Sequence, residues 1–529
     1  VTDPLPNILV ILVDDARSDL FSCNGAPEFM QTPAVDRIAN EGVNFKNSFV
    51  VHSLCAPSRA AIATGTYTHR HGVYDNVNQS LLNPNLALVP KLMHQNGYST
   101  ALVGKNHAVF TYNSGEYFDY WLEFTSKTDG YDLQYKSLSQ KKTIQGYGTD
   151  VLSDSAVGFI KRTQQPFLLW LSYHAPHEPL IPAEEYADVF DHETIPQKAD
   201  TALFTSNYPS SIYDLGGGQA NPSEAAGNLR ETYEMVLSVD KGIGRVLDAL
   251  DSLGKLDNTL VIFTSDNGHM IGEHGLDMKR VAYEPSIRIP LFVRYPAWFE
   301  AGVIDSSNFA LNIDIAPTIF EAAGLTDVTG MDGQSLRNFS EQLTTRHIMY
   351  YHYWYSLEGA WDGLPPIRAV RDKNYVLIDY SCTDQVVQEF FDLQNDPLQL
   401  TNQINNSTFD SLINSYRIKL DSFILVYGDT TEAISLPCSL VNQQYTRLKE
   451  EEKAPLFRCY PNPAAEQTTI ENFSTEELAL VLTNELGQRL FRWVLPAGER
   501  IKIATPPPGI YFLRPEGSQK NGSLKLVIQ

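Results

Sequence analysis

With 529 residues the chain exceeds what one hydrophobic core normally holds, so two or more structural units are expected. A hydrophobic content of 43% against only 19% charged residues excludes a disordered chain. The net charge of −23 excludes nucleic acid and anionic membranes as partners, because binding phosphates needs a basic face, and it confines any anion site to a local cluster of cations.

In chain order, the start at Val1 without a basic and apolar leader fits an exported chain whose signal peptide has been removed, or a chain shortened for another reason. No apolar run reaches the length of about 18 residues that a membrane-spanning helix needs. Residues 7–13 form a continuous apolar run, the pattern of a strand buried on both faces, and Asp14 and Asp15 follow at once. Three more such runs occur: residues 100–103 lead to Lys105 and His107, residues 167–171 to His174 and His177, and residues 259–264 to Asp266 and Asn267. Ligands of an open parallel sheet bind at the carboxyl ends of its strands, so these groups are expected along one edge. Thr232, Val236, Val239, Ile243, Val246 and Leu250 recur at helical spacing, with Gly254 as a stop. The first two thirds therefore read as α/β. From residue 346 to 445 the pattern is mixed, with a strand at 375–378 and a helix over 409–427. A charged linker at 446–456 precedes short strands near 478–482, 489–494, 500–503, 510–513 and 524–528, which read as a small β-sandwich.

The five cysteines, Cys23, Cys55, Cys382, Cys438 and Cys459, show no zinc spacing, and their odd number leaves one free or chemically special. Cys55 opens the run Cys55-Ala56-Pro57-Ser58-Arg59, which continues to Thr64 and Gly65. Pro57 suits a first helical turn, which puts Cys55 at the positive end of a helix dipole with Arg59 one turn on. An oxyanion would be stabilised there; the alternative is a buried cysteine that merely precedes a helix. The acidic pairs alone could equally be solvated turns or helix caps.

Taken in order, Asp14-Asp15, Cys55 to Gly65, Gly104-Lys105-Asn106-His107, Ala175-Pro176-His177, Asp266-Asn267-Gly268, and Gly272-Glu273-His274-Gly275 with Lys279 and Arg288 resemble the sulfatase family of the alkaline-phosphatase superfamily. The resemblance covers residues 5 to 400, through Phe391 to Pro397. It implies an alkaline-phosphatase-like sheet with flanking helices over residues 1–345 and a smaller α+β subdomain over 346–445, while the strands after the linker read as a separate β-sandwich over 457–529. It further implies that a formylglycine-generating enzyme oxidises Cys55 to formylglycine, whose hydrated aldehyde attacks sulfur with Asp266 as base. Asp14, Asp15, Asp266, Asn267 and the modified Cys55 would hold Ca2+, or alternatively Mg2+, in hard oxygen ligands. Arg59, Lys105 and Lys279 would neutralise developing charge, His177 or Lys279 would protonate the leaving alcohol, and His107 would take a proton from the second hydroxyl. The expected substrate is a sulfated carbohydrate, a fragment of an extracellular polysaccharide. A phosphonate monoester or phosphodiester hydrolase, or a non-catalytic glycan-binding protein, are the alternatives.

His174, His269 and His274 adjoin the motifs without an assigned role, and Tyr112, Trp121, Trp354 and Trp361 are candidates to stack on sugar rings. The terminal unit, with Tyr460-Pro461-Asn462-Pro463, Gly509-Ile510-Tyr511 and Lys525 to Ile528, is similar to the type IX secretion sorting domain; a carbohydrate-binding sandwich is the competing reading. The resemblance implies a secreted or cell-surface protein handled by that secretion machinery. Export would allow the four cysteines other than Cys55 to form disulfides.

Overall fold

The computed structural model describes residues 5–76, 82–107, 109–110, 116–125, 130–138, 140–196, 222–354, 365–382 and 386–429. It also describes residues 457–460, 467–472, 478–484, 489–497, 499–504, 509–515 and 524–528. They belong to two units, Val1–Gln443 and Gln444–Gln529.

The four apolar runs become the middle of a 10-stranded mixed sheet, where Thr259–Ser265, Asn7–Val13, Phe167–Ser172 and Ser99–Gly104 lie side by side and parallel. Their unbroken apolar character follows from burial on both faces. Leu9, Ile11 and Val13 join one hydrophobic cluster, while Ile8, Val10 and Leu12 join the other. The first face is covered by the helices Gly148–Arg162 and Pro222–Ser252, the second by Cys55–Thr64 and Ile315–Ala322. Beyond the parallel centre the sheet turns mixed, with Leu291–Arg294 antiparallel to Thr259–Ser265.

In the same unit Ile348–Tyr353, Ile367–Asp372, Tyr375–Tyr380 and Val387–Asp392 form an antiparallel sheet against the helix Asp410–Tyr427. This sheet shares a core with Tyr67, Met270 and Tyr283. At that junction Glu389, fully buried, accepts hydrogen bonds from the Tyr283 hydroxyl at 2.7 Å and the Tyr380 hydroxyl at 2.8 Å. Burial pushes its pKa up to about 7 despite the two phenol donors. A carboxyl whose pKa is about 4.3 when unfolded then binds its proton more tightly in the folded state, so it withdraws stability as pH rises from about 4.3 through 7. Glu389→Gln is expected to remove that slope: between pH 5 and pH 8 the unfolding free energy of wild type should fall by up to about 3 kcal/mol more than that of the variant. Urea titrations at the two pH values measure the difference, and parallel losses would refute it.

The terminal unit pairs Phe457–Tyr460, Gln467–Asn472 and Arg500–Ala504 in one sheet, and Arg489–Leu495, Leu478–Asn484, Gly509–Pro515 and Leu524–Ile528 in another. All five expected strands are present. The two additional strands are the first two of the unit, of which Gln467–Asn472 is mostly polar and gives little periodic signal. The linker at 446–456 lies outside the described residues, as does Cys438. Of the four cysteines that export would allow to pair, Cys382 is disulfide-bonded, whereas Cys23 is a free thiol. The backbone N–H of Cys23 donates to Asp36 at 3.0 Å, and burial together with that carboxylate pushes its thiol pKa up.

Candidate active site

The parallel registers bring the motifs together. Val13 pairs with Ser265, so Asp14-Asp15 and Asp266-Asn267 leave the sheet side by side. Ser265 Oγ ties the two loops, accepting from the Ala16 N–H at 2.9 Å and donating to the carbonyls of Val13 at 3.1 Å and Asn267 at 2.8 Å. On the other side Gly104 pairs with Ser172, and a Cβ at Gly104 would lie 1.8 Å from the Ser172 carbonyl oxygen. Only glycine permits this approach, which places Lys105 directly above the sheet. Asp15 and His107 both sit in the left-handed region, at φ 59° and 51°, a backbone cost that clusters at functional sites.

Cys55 is the first residue of the helix Cys55–Thr64, every residue of which is buried, and Gly65 ends it at φ 67°. The Asn76 side chain accepts from the Ala56 N–H at 3.0 Å, capping the helix start. Cys55 Sγ lies 3.5 Å from Asp14 Oδ1 and 3.9 Å from Asp15 Oδ1, and it accepts from Lys279 Nζ at 2.9 Å. Lys279 also pairs with Asp15 Oδ1 at 2.5 Å, and Lys105 pairs with Asp14 Oδ2. Arg59 Nε donates to Asp266 Oδ2 at 2.8 Å, while its Nη1 donates to Ser172 Oγ at 2.6 Å and the Lys105 carbonyl at 3.0 Å. Asp266 Oδ1 accepts from the N–H groups of Asp15 at 3.1 Å and Asn267 at 2.9 Å. The cations required inside an acidic shell are thus Arg59, Lys105 and Lys279.

Desolvation and crowding set the protonation states. Burial opposes ionisation of Asp14 and Asp15, yet Lys105, Lys279 and His177 outweigh it and hold both well below the usual carboxylate range. Asp266, equally buried and facing Asp14, is pushed up to about 6. Burial pushes the Cys55 thiol up to about 12 against the pull of Lys279 and Lys105, so the thiol itself is not a nucleophile near neutral pH. His107 is held well below its usual pKa by burial, Lys105 and Arg59, and its Nδ1 is buried without a hydrogen-bond partner among the described residues. His177 is pushed down to about 4 by burial, with its Nδ1 donating to the Glu178 carbonyl at 2.7 Å and its Nε2 3.6 Å from Asp15 Oδ2.

Asp14 and Asp15 form the compact part of a possible cation site, while Asp266 stands beside them with its oxygens engaged by Arg59 and by the N–H groups of Asp15 and Asn267. Ligand atoms of Asp14, Asp15, Cys55 and His177 all lie within 4.8 Å of one another, and the adjoining Asn267 Oδ1 is buried with no hydrogen-bond partner among the described residues. An orphaned carbonyl oxygen beside two carboxylates suits a hard, oxygen-seeking ion such as Ca2+ or Mg2+. A second group, His69, His352 and Asp429, is equally compact. There, however, both ring nitrogens of His352 face donors, the Thr68 N–H at 3.3 Å and the Trp354 indole at 3.1 Å, and Asp429 accepts from Arg368 at 3.2 Å. That arrangement is a hydrogen-bond network, in which each ring nitrogen of His352 already faces a protein partner.

Among the histidines without an assigned role, His274 stacks on Tyr283 at 4.3 Å and bonds the Leu398 carbonyl at 3.0 Å, and His174 packs between Phe124 and His177. His269 is the one at the site: its Nδ1 lies 3.6 Å from Asp15 Oδ2 and its Nε2 donates to Asp277 Oδ1 at 2.8 Å. Burial opposes protonation, but the two carboxylates push it up to about 9. Asp277 and Ser172 carry no sequence signal of their own, since neither belongs to a motif. Trp121 and Trp354 are buried, so neither offers a face to a sugar, and Tyr112 and Trp361 lie outside the described residues.

Residues 6–325 match the sulfatase family, residues 272–424 the N-sulphoglucosamine sulphohydrolase C-terminal family, and residues 458–529 the secretion system C-terminal sorting domain. The chain is 30% identical over 470 residues to an N-acetylglucosamine-6-O-sulfatase of Bacteroides thetaiotaomicron, covering 75% of this chain and 82% of the relative. It is 28% identical to an arylsulfatase of Clostridium perfringens, over 78% of this chain and 93% of that one. A solved structure of a protein in complex with its substrate D-glucosamine-2-N,6-O-disulfate superposes with a TM-score of 0.72 at 28% identity, covering 80% of this chain and 99% of the other. The phosphonate monoester hydrolase of Agrobacterium radiobacter shares the fold, with a TM-score of 0.65 at 21% identity over 80% of this chain and 96% of that one. The family match extends across every strand that feeds the acidic cluster and the cysteine helix, and so the chain belongs to the sulfatase family of the alkaline-phosphatase superfamily and is a sulfuric ester hydrolase.

Proposed function

We propose that this sulfatase removes sulfate from a carbohydrate, a glycosaminoglycan-type sugar or a fragment of a similar extracellular polysaccharide, and that it is exported to the cell surface or beyond through its sorting domain. Relatives named for N-acetylglucosamine sulfate and the neighbour that holds a disulfated glucosamine support the substrate class. The terminal sorting-domain match supports export, and among the described residues no helix is long and apolar enough to cross a membrane.

The observation that carries the mechanism is the position of Cys55: a buried residue at a helix start, against Lys279, Asp14 and Asp15, with a thiol too weakly acidic to attack. A divalent cation, Ca2+ before Mg2+, would polarise a sulfate oxygen there, and Cys55 oxidised to formylglycine would supply the attacking hydroxyl. Asp14, Asp15, Asp266 and Asn267 would hold the cation. Asp266, buried beside Cys55 and crowded by Asp14, is the group placed to accept the proton of the attacking hydroxyl. Arg59, Lys105 and Lys279 stand where negative charge grows and lose little to solvent, because all three are largely buried. His107, neutral with an unengaged Nδ1, accepts the proton whose removal releases sulfate. His177 Nε2 delivers a proton to the departing alcohol. Mass spectrometry of the Cys55 peptide from active protein tests the assignment; unmodified thiol throughout would overturn it.

Exhaustive chelation is expected to lower both activity and melting temperature, since a cation bound only by the folded site stabilises that fold by its binding free energy. Calorimetry before and after metal removal measures this, and an unchanged transition would refute a resident cation. The fold shared with a phosphonate monoester hydrolase keeps that activity as a second reading. Specificity constants for 4-nitrophenyl sulfate and a phosphonate monoester separate the two.

A further inference from the structure

We infer that Asp277 is a positioning residue of the cation centre, acting on Asp15 through His269. The inference rests on the reading of Asp14, Asp15, Asp266 and Asn267 as that centre.

The two oxygens of Asp15 are held differently. Oδ1 accepts from Lys279 Nζ and Asn267 Nδ2, both at 2.5 Å. Oδ2 faces only two imidazole nitrogens among the described residues, His177 Nε2 and His269 Nδ1, each at 3.6 Å. His177 is anchored by a neighbouring backbone carbonyl, that of Glu178. His269 is anchored by a carboxylate, and that carboxylate is anchored in turn: Asn228 Nδ2 donates to Asp277 Oδ2 at 3.2 Å. Asn228 belongs to the long helix Pro222–Ser252, so the chain of contacts runs from a rigid element to the Asp15 carboxylate.

The local backbone keeps this geometry. Met270–Ile271 and Asp277–Met278 form a two-stranded antiparallel ladder in which Ile271 faces Asp277, which brings Asp277 back beside His269. Nε2 is bonded to Asp277 and Nδ1 is turned toward Asp15 without a hydrogen-bond partner among the described residues, so Asp277 fixes the orientation of the ring that stands against Asp15 Oδ2. Replacing Asp277 therefore frees the ring from its anchor and loosens what stands against Asp15 Oδ2. Outer partners of this kind typically contribute about 10- to 100-fold to metal affinity. His269, Asp277 and Asn228 also line, with Asp15 and His177, a small cavity beside the centre, so the relay stands at the site and not behind it.

The test is calorimetric titration of Ca2+ into the metal-stripped full chain. Asp277→Asn, which keeps size and shape, is expected to weaken Ca2+ binding about 10- to 100-fold while leaving the melting temperature of the metal-free protein near that of wild type. His269→Ala should lose as much, and the double variant should lose no more than either single one, because one chain of contacts is broken in all three. Such non-additivity would not follow from two separate structural defects. Asp14→Asn reports on the centre itself. If Asp277→Asn binds Ca2+ as tightly as wild type while Asp14→Asn does not, the inference is overturned alone; if wild type binds no Ca2+, the cation reading falls and the inference with it.

Discussion

Replacing Cys55 by Ser is expected to leave the fold intact and to remove turnover on any sulfate ester by at least about 10³-fold, the scale on which loss of a nucleophile acts. The side chain is fully buried at the first residue of its helix, and exchange of sulfur for oxygen changes neither the backbone nor the hydrogen-bonding role. Lys279 keeps its ion pair with Asp15, and Arg59 keeps Asp266, so no buried charge is stranded. What disappears is the thiol carbon centre from which the maturation enzyme makes an aldehyde. Steady-state rates on 4-nitrophenyl sulfate, paired with thermal melts, read the two halves of the expectation separately. A folded Cys55→Ser variant with wild-type turnover would exclude formylglycine chemistry.

His177→Ala is expected to impair desulfation of a sugar by about 10² to 10⁴ while costing far less on 4-nitrophenyl sulfate. A nitrophenolate leaves without help, whereas a sugar alkoxide needs a proton in the transition state. In the free enzyme burial pushes His177 down to about 4, so its Nε2 carries no proton near neutral pH. The arriving sulfate ester brings negative charge to within reach of that ring and raises its proton affinity, which makes the imidazole an acid in the complex and not before it. Comparing kcat/KM for the two substrates in both proteins gives the result directly. An equal loss on both would make His177 a sulfate-binding group and pass the acid role to Lys279, whose ammonium is stabilised by Asp15 against burial.

Much of the molecule was legible from local pattern. A strand buried on both faces cannot alternate, so the runs at 7–13 and 259–264 announced the parallel centre of the sheet, and the polar residues after them announced its working edge. The residues around Cys55 announced the helix start, because Pro57 fixes its own φ at a value that suits a first helical turn whatever surrounds it. The terminal strands were legible where apolar residues alternate and missed at Gln467–Asn472, where they do not.

Other features were decided only in three dimensions. The raised thiol pKa of Cys23 depends on burial and on where a helix puts Asp36, and that of Glu389 on burial where its sheet packs against Tyr283. The relay from Asn228 through Asp277 and His269 to Asp15 joins residues from four places in the chain. Periodicity and turn chemistry act over a few residues and are written in the sequence, so it determined the strands, the cysteine helix and the family. Burial, charge and side-chain direction come from elements hundreds of residues apart, as when the Asp15 N–H meets Asp266. Those quantities exist only once the chain has folded, and so the tertiary structure decided which histidine is neutral, which carboxylate is crowded and which residues stand beside Asp15.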